Sequence, residues 1–390
     1  MSKGIPSARN PKELARFNRR TADGVYNLKS LELWWRDHYQ LLLDHGYQLR
    51  PRFRPDWKPS WTDTNLDPDY CEDSLPHFVR PVMDATRLSD GAVVAIKNGK
   101  KREYTISHRL CVPEKTSDPR NHCVPIFERI HDEREPKSYF LVMPLLRCFD
   151  DPPFYAVGEV VEFVRQTLEG LEYMHQEGVV HLDCSGGNIM MDATPIFPEG
   201  FHPSMNDRNK AGNDDAKSRR RIDSPPVKYY FVDFGLSKFL NENGDNAVLG
   251  HDGQDQEVPE LSYKVPYDAP PVDIFILGNV YRKELLNRYK NLEFLLPLVD
   301  AMTQKDPKAR PSASEAFAQF KSLSLPRWGP ALRWRLQERD ETGLSRFYDD
   351  TFALAREGVY VVRSIITAPL KVSKKIISSL PFRKTESSAS

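Results

Sequence analysis

Apolar residues recur at helical spacing in several stretches and cluster into short runs in others. From Ser30 to His45, the residues Leu31, Trp34, Trp35, His38, Leu41 and Leu42 share one face, Ser30 can cap the start and Gly46 supplies the stop. This predicts one amphipathic helix over 30–45, its tryptophans packed on the body of the protein. Val157 to Gln176 repeats the pattern through Val160, Val161, Val164, Leu168 and Leu171 and ends before Gly178. Glu103 to Leu110 places Ile106 and Leu110 on one side of a shorter helix. Four short runs read as strands: Val94-Ala95-Ile96 after the turn pair Asp90-Gly91, Ser138 to Val142, Ile189 to Asp192, and Tyr229 to Val232. Between these elements the pattern lapses. Residues 1–28 read as a flexible basic lead, and residues 50–80, rich in Pro and Trp, as an extended wrap. Ala193–Val227, full of Pro, Asn, Asp and Arg, reads as a surface excursion, disordered in part. No internal repeat is visible.

Composition narrows the classes. A chain of 390 residues has room for one large domain with extensions, and 55 Lys and Arg balance 55 Asp and Glu, so no nucleic-acid partner is expected. No run of about 18 apolar residues marks a membrane span, and the N-terminus has no apolar signal core. Cys71, Cys111, Cys123, Cys148 and Cys184 form an odd, scattered set, which argues for a reducing, intracellular (cytoplasmic) compartment. No Cys-x-x-Cys occurs, and His108, Cys111, His122 and Cys123 fit no common zinc spacing. Lys217-Ser218-Arg219-Arg220-Arg221 has two readings, a solvated loop run or a nuclear-import or docking patch. The tail from Pro326 carries 12 Lys and Arg against 7 Asp and Glu, and Tyr360 to Ile377 mixes apolar with cationic residues. Weak contact with a membrane surface and docking on the protein core explain that mixture equally.

The chemistry-bearing residues stand in a fixed order. Val94-Ala95-Ile96-Lys97 comes first, then His181-Leu182-Asp183-Cys184-Ser185-Gly186-Gly187-Asn188, then Asp233-Phe234-Gly235. Val258-Pro259-Glu260, Asp273-Ile274-Phe275-Ile276-Leu277-Gly278 and Asp306-Pro307-Lys308-Ala309-Arg310-Pro311 follow. Each piece alone is weak. Their order over roughly 220 residues resembles the eukaryotic protein-kinase family from about Pro81 to Leu325. Four further segments are similar to the kinase-like proteins of mushroom-forming (basidiomycete) fungi: Gly46 to Arg52, Ser117 to Pro125, Phe149 to Phe154, and Gly200 to Pro203.

The resemblance implies an α+β, two-lobed protein-kinase-like fold. A small, mainly antiparallel β N-lobe with a helix would span 81–148 and a larger, mainly α C-lobe 149–325. It implies ATP and Mg²⁺ as cofactors and a protein substrate. Lys97, salt-bridged to Glu103 (runner-up Glu114), would orient the phosphates, Asp183 would take the proton of the attacking hydroxyl, and Asn188 and Asp233 would hold the metal. Met143 would be the gatekeeper, with the adenine read by backbone near Leu146, since Pro144 lacks an N–H. His181 would be structural, and Glu260 and Arg310 would brace the segment after Gly235. The chain departs from the family in three ways. No glycine cluster precedes Lys97, so a differently built roof is expected. Leu182 stands where an arginine often reads a loop phosphate, and between Gly235 and Pro259 the only hydroxyl residue is Ser237. Ser185 and Gly187 replace the basic residues that serine/threonine and tyrosine kinases place near the catalytic acid. The two loop departures agree with each other and imply activity independent of loop phosphorylation. The carboxylates Glu242, Asp245, Asp252, Asp255 and Glu257 are either simple solvated residues or partial phosphate mimics. Three readings stay open: a protein kinase with serine/threonine specificity by family default, a pseudokinase or ATP-binding scaffold, and a kinase-like enzyme acting on a small molecule.

Overall fold

The computed structural model describes residues 4–77, 81–241, 243, 246–323 and 329–378. Two lobes flank a cleft. In the smaller lobe β1 (Tyr47–Gln48), β2 (Val82–Arg87), β3 (Val93–Lys100), β4 (Glu128–His131) and β5 (Ser138–Pro144) form one antiparallel sheet in the order β1-β2-β3-β5-β4. The β2–β3 hairpin turns at Asp90-Gly91, where Gly91 takes φ +72° and Asp90 Oδ1 accepts the Ala92 N–H at 3.1 Å. Strand alternation sorts the sheet's two faces. Met83, Ala85, Val94, Ile96, Phe140 and Val142 join an outer core with Trp35, Leu42 and Phe53. Val82, Asp84, Ala95, Lys97 and Met143 face the cleft.

Two segments, the lead and the stretch 30–45, differ from the periodicity reading. The lead contains α1 (Pro11–Ala22), capped by the Asn10 side chain, with Phe17 buried. Arg20 pairs with Asp69 at 2.7 Å and the Trp61 indole donates to Thr21 at 2.9 Å, so the surface that orders α1 comes from the wrap some 40 residues away. The helix expected over 30–45 is two helices, α2 (Ser30–Asp37) and α3 (Tyr39–Asp44). His38 breaks it: its ring Nδ1 takes the Trp34 carbonyl at 2.6 Å, the oxygen that its own N–H would have used, and its Nε2 lies 3.0 Å from buried Asp132. Ser30 is the first helical residue and not the cap; Glu32 accepts the Lys29 N–H at 2.8 Å. The wrap between β1 and β2 is pinned by a buried pair, Arg52 Nε to Glu32 Oε1 at 2.9 Å, with Glu32 also accepting the His77 N–H at 3.0 Å.

The larger lobe is mainly helical. α4 (Lys101–Leu110) and α5 (Pro113–Thr116) belong to the small lobe; the hinge then runs through β6 (Arg147–Cys148) to α6 (Val157–Gln176), buried on most sides. β7 (Val179–Val180), β8 (Ile189–Met191), β9 (Tyr229–Phe231), β10 (Lys238–Phe239), β11 (Ala247–Gly250) and β12 (Ser262–Asp268) pair as β6-β8-β9, β7-β10 and β11-β12. α7 (Pro270–Val280), α8 (Leu296–Met302) and α9 (Ala313–Ser322) complete the core, and α10 (Gly329–Arg333) and α11 (Gly343–Ser378) follow. No helix among the described residues is long and apolar enough to cross a membrane.

The excursion 193–227 is tied down rather than loose. Ile196, Phe197 and His202 are buried, and Arg221 donates to the Pro152 carbonyl at 2.8 Å and to the Tyr229 hydroxyl at 3.1 Å. Arg220 pairs with Asp223 and Glu357, so two of the basic residues at 217–221 serve the fold.

Candidate functional site

The cleft between the lobes holds a cavity of about 330 Å³. Its apolar walls are Val82 and Ala95 above, Met190 and Val232 below, and Met143, Leu145 and Leu146 along the hinge. Lys97, Asn188 and Asp233 converge at its inner end.

Lys97 reaches this point because β3 pairs with β5 through Ala95 opposite Met143 and Lys97 opposite Leu141. Its Nζ lies 2.6 Å from Glu103 Oε1 and 2.8 Å from Asp233 Oδ1. Glu103 sits in the first turn of α4, its side chain almost wholly buried. Burial pushes the Glu103 carboxyl up from its usual range, and the adjacent ammonium only partly opposes this. Burial also pushes Asp233 up, but Lys97 and the Gly235 N–H outweigh it and hold that group below the ordinary carboxylate range.

Asp183 and Asn188 come together through the short 3₁₀ turn Gly186–Asn188. The Asn188 amide donates to the Asp183 carbonyl and to its Oδ2, each at 2.8 Å. The loop's path rests on Asp273, fully buried at the start of α7. Its carboxylate accepts the His181 N–H at 2.8 Å, the Leu182 N–H at 2.6 Å and His175 Nε2 at 3.0 Å. That support holds Leu182 at φ +63°, a conformation unfavourable for a side chain of its kind; Asp233 takes the same φ. His181 acts by backbone contacts: its Nε2 faces the Val232 carbonyl at 3.1 Å and its Nδ1 accepts the Asp183 N–H at 3.3 Å. These roles require the neutral ring, and burial lowers its pKa accordingly.

Both oxygens of Asp183 already accept hydrogen bonds. Oδ1 takes the Gln254 N–H at 2.8 Å and Oδ2 lies 3.4 Å from the Gln254 side-chain amide. Gln254 fits there because residue 187 is glycine: a Cβ at that position would stand 2.6 Å from the Gln254 amide oxygen. Burial raises the Asp183 pKa despite these donors. The segment carrying Gln254 is fixed from below. Asn279 donates to Asp255 at 2.8 Å and to Glu257 at 2.9 Å, Lys283 lies 3.1 Å from Glu257, and Arg310 grips Glu260 with two bonds of 2.6 and 2.8 Å. Asp255 is therefore a buried anchor, whereas Glu257 pairs with Asn279 and Lys283 while its side chain stays exposed to solvent, and Asp252 accepts the Tyr263 hydroxyl at 2.6 Å. Glu242 and Asp245 lie outside the described residues. Leu182 packs with the apolar cluster Val180, Val248 and Ala269, which joins the loop to β11. Ser237 is fully buried, its hydroxyl bonded to the His181 carbonyl at 3.0 Å.

Periodicity gave no hint of the roof. His77 and Asp84 from the small lobe and Pro203 and Asn206 from the excursion also line the cavity. Arg50 lies 3.2 Å from Asp84 and donates to Ser204 at 2.9 Å; His77 contacts the Val82 carbonyl at 2.6 Å; Glu72 faces His202 at 3.4 Å; Arg147 donates to the Asn206 carbonyl at 2.6 Å. A polar clasp thus bridges the lobes over the cleft mouth. Within it Asp84 Oδ1 is buried with no hydrogen-bond partner among the described residues. Arg50, Asp151 and His202 fall within three of the four further segments singled out in the sequence; the Asp151 carboxylate accepts from Arg147 at 2.8 Å and the Asn206 amide lies 3.5 Å from it.

No family model matches the chain. Over 219 residues it is 25% identical to a Wee1-like protein kinase 2 of Danio rerio, covering 50% of this chain and 37% of that protein. It is 21% identical over 314 residues to the serine/threonine-protein kinase STK11 of Mus musculus, covering 68% and 67%. A shorter stretch of 103 residues is 32% identical to a light-sensor protein kinase of Ceratodon purpureus, covering 25% and 8%. The chain thus spans less than two thirds of the length of the first of these relatives. Among solved structures, the Rad53 kinase domain with SCD2 in complex with AMPPNP aligns with a TM-score of 0.38 at 17% identity, over 64% of this chain and 89% of that one. The chain therefore has protein-kinase relatives at low identity.

Proposed function

We propose that the protein is an ATP-dependent protein kinase that transfers the γ-phosphoryl group to a protein hydroxyl. The observation that carries this is the meeting of Lys97, Glu103 and Asp233 at the inner end of a nucleotide-sized cleft whose floor also presents Asp183 and Asn188.

The donor set suits a hard divalent cation and a triphosphate. Lys97 uses Asp233 Oδ1, which leaves Oδ2 free for a metal; Asn188 spends its amide hydrogens on Asp183, which leaves its carbonyl oxygen. Asn188 and Asp233 would hold Mg²⁺, and Lys97 would hold the α- and β-phosphates, as Glu103 fixes its position. Bound Mg·ATP supplies the phosphoryl group and neutralises its charge in transfer. The chain's own residues do the rest. Asp183 accepts the proton of the attacking hydroxyl at a carboxylate oxygen, after Gln254 has left it. Asn188 keeps that carboxylate oriented. The apolar walls exclude water from the base, with Met143 as gatekeeper and the hinge backbone near Leu146 reading its edge.

Activity without loop phosphorylation is part of the proposal. Support comes from Leu182 in its apolar cluster, from buried Ser237, and from Asp255 and Glu257, which anchor the segment on Asn279 and Lys283. Serine or threonine is proposed as the acceptor by analogy with the relatives. A nucleotide-binding scaffold is the second reading, favoured by one observation: Gln254 donates to Asp183 Oδ1 from its backbone and lies 3.4 Å from Oδ2 with its side-chain amide. Incubation with radiolabelled Mg·ATP and a degenerate peptide library decides between them. Label on peptide, absent with Asp183→Asn, is the expected result. Nucleotide binding with no label on peptide or on the chain itself would leave the scaffold.

A further inference from the structure

The helix α11 is turned the wrong way round for a helix of a globular core. Its inward side is polar: Arg335 pairs with Asp350 at 2.6 Å, Glu357 pairs with Arg220 at 3.0 Å and with Arg333, and only small Ala353 is buried between them. Its outward side is apolar. Leu344, Phe347, Phe352 and Leu354 stand 65–68% exposed, and Val359 and Val362 are also more than half exposed. At 3.6 residues per turn these positions cover about 160° of the helix circumference. That is too wide for the narrow seam of a coiled coil and suits a flat apolar medium.

Charge then selects the medium. The first half of α11 uses acidic residues to hold the body. From Gly358 to Thr385 the sequence contains no Asp or Glu, while Arg363, Lys371, Lys374 and Lys375 occupy the polar side of the repeat. Ile365, Ile366, Leu370, Ile376 and Ile377 continue the apolar spacing through the same stretch of sequence. The helix has 36 residues, about 54 Å at 1.5 Å per residue, and no described helix is apolar enough to span a bilayer.

We propose that α11 is a surface anchor: its apolar face lies in the interface of an anionic phospholipid bilayer, its cationic half faces the headgroups, and its Asp350–Glu357 face carries the folded body. The two halves do different work. Apolar burial supplies depth, and the lysines select anionic lipid.

Sedimentation of the full chain with large vesicles tests this, one set of phosphatidylcholine alone and one with phosphatidylserine added. Expected is pelleting with the anionic vesicles, weakened by salt and much lower with phosphatidylcholine alone. Phe347→Asp with Phe352→Asp should abolish it. Because both rings are exposed, circular dichroism and the melting temperature should stay unchanged. Lys371→Glu, Lys374→Glu and Lys375→Glu together should weaken it roughly a hundredfold. Absence of pelleting with anionic vesicles at low salt overturns the proposal. Equal binding to both vesicle types overturns it as well, and so does a lipid-free dimer dissolved by the Phe347 and Phe352 substitutions, which would assign the face to a second copy.

Discussion

The floor of the cleft and its roof are built on different principles. The floor is local: Asp183 and Asn188 lie five residues apart on one turn, Gly235 donates back to Asp233 at 3.2 Å, and one buried carboxylate, Asp273, holds the loop. The roof is remote: Arg50, Glu72, His77 and Asp84 meet His202, Ser204 and Asn206 from more than 100 residues away. A floor made this way fixes the orientation of Asp183 and Asn188 within one loop, which Asp273 of α7 holds in place. A roof made this way couples the small lobe to the large one and depends on the whole wrap being folded. Changes in the floor should therefore act chiefly on rate, with small pH-dependent effects on stability, and changes in the roof chiefly on stability and nucleotide affinity.

The largest contrast is Asp183→Asn. The substitution removes the proton acceptor and keeps the shape, so phosphorylation should fall about 10³-fold, within the usual range for a general base. Thermal unfolding should show an intact fold. A comparable loss of folding would place Asp183 with the roof. The roof counterpart is Glu32→Ala, which leaves Arg52 buried and uncompensated beneath the wrap. It should cost about 3–5 kcal/mol in chemical unfolding. Arg50→Ala acts on the clasp itself. It releases Ser204 and leaves buried Asp84 without its ion-pair partner, so it should also lower stability, and it should weaken nucleotide binding by roughly tenfold in calorimetry while the rate at saturating nucleotide changes little. A fall in that rate at unchanged affinity would show that the clasp serves chemistry rather than binding.

The same division explains what was legible in the sequence. The strand carrying Lys97, the helix carrying Glu103 and the turn from Asp183 to Asn188 are local objects, where spacing alone carries information. Asn10 capping α1 is equally local, yet the α1 sequence reads as a loose lead because its apolar surface is little more than Phe17, and its partner Trp61 belongs to a segment with no periodicity. The helix over 30–45 had the right period, but a ring nitrogen of His38 competing for the Trp34 carbonyl leaves no trace in a hydrophobic pattern. Gln254 was invisible for a third reason: its position over Asp183 depends on Gly187, and in sequence a glycine there registers only as a missing basic residue. The glycine-poor stretch before Lys97 signalled that the roof would differ, without saying from what.

Gln254 links floor and roof in a smaller experiment. Gln254→Ala removes the side-chain amide from Asp183 and keeps the backbone donor, and Asp255 and Glu257 remain anchored to Asn279 and Lys283. Phosphorylation should rise several-fold, a change of about 1 kcal/mol, the worth of one ordinary hydrogen bond. A fall instead would mean that Gln254 positions the base rather than covers it.

The smallest effect is on pH. Burial raises the Asp183 pKa in the folded chain above its unfolded value, so the folded state binds that proton more tightly. The stability this contributes is complete below the unfolded pKa and is lost as pH rises through the folded pKa, so at neutral pH the ionised Asp183 weighs against folding. Asp233 has the opposite sign: its folded pKa is depressed beside Lys97, and its contribution is present above the unfolded pKa and lost as pH falls through the folded one. The stability of Asp183→Asn relative to the wild type should therefore improve as pH rises from the carboxylate range to neutrality. Asp233→Asn should melt below the wild type at neutral pH, with its deficit shrinking as pH falls through the same interval. Opposite pH trends in two floor residues would show that the floor trades stability for a poised base, whereas parallel trends would mean that both carboxylates are held for structure alone.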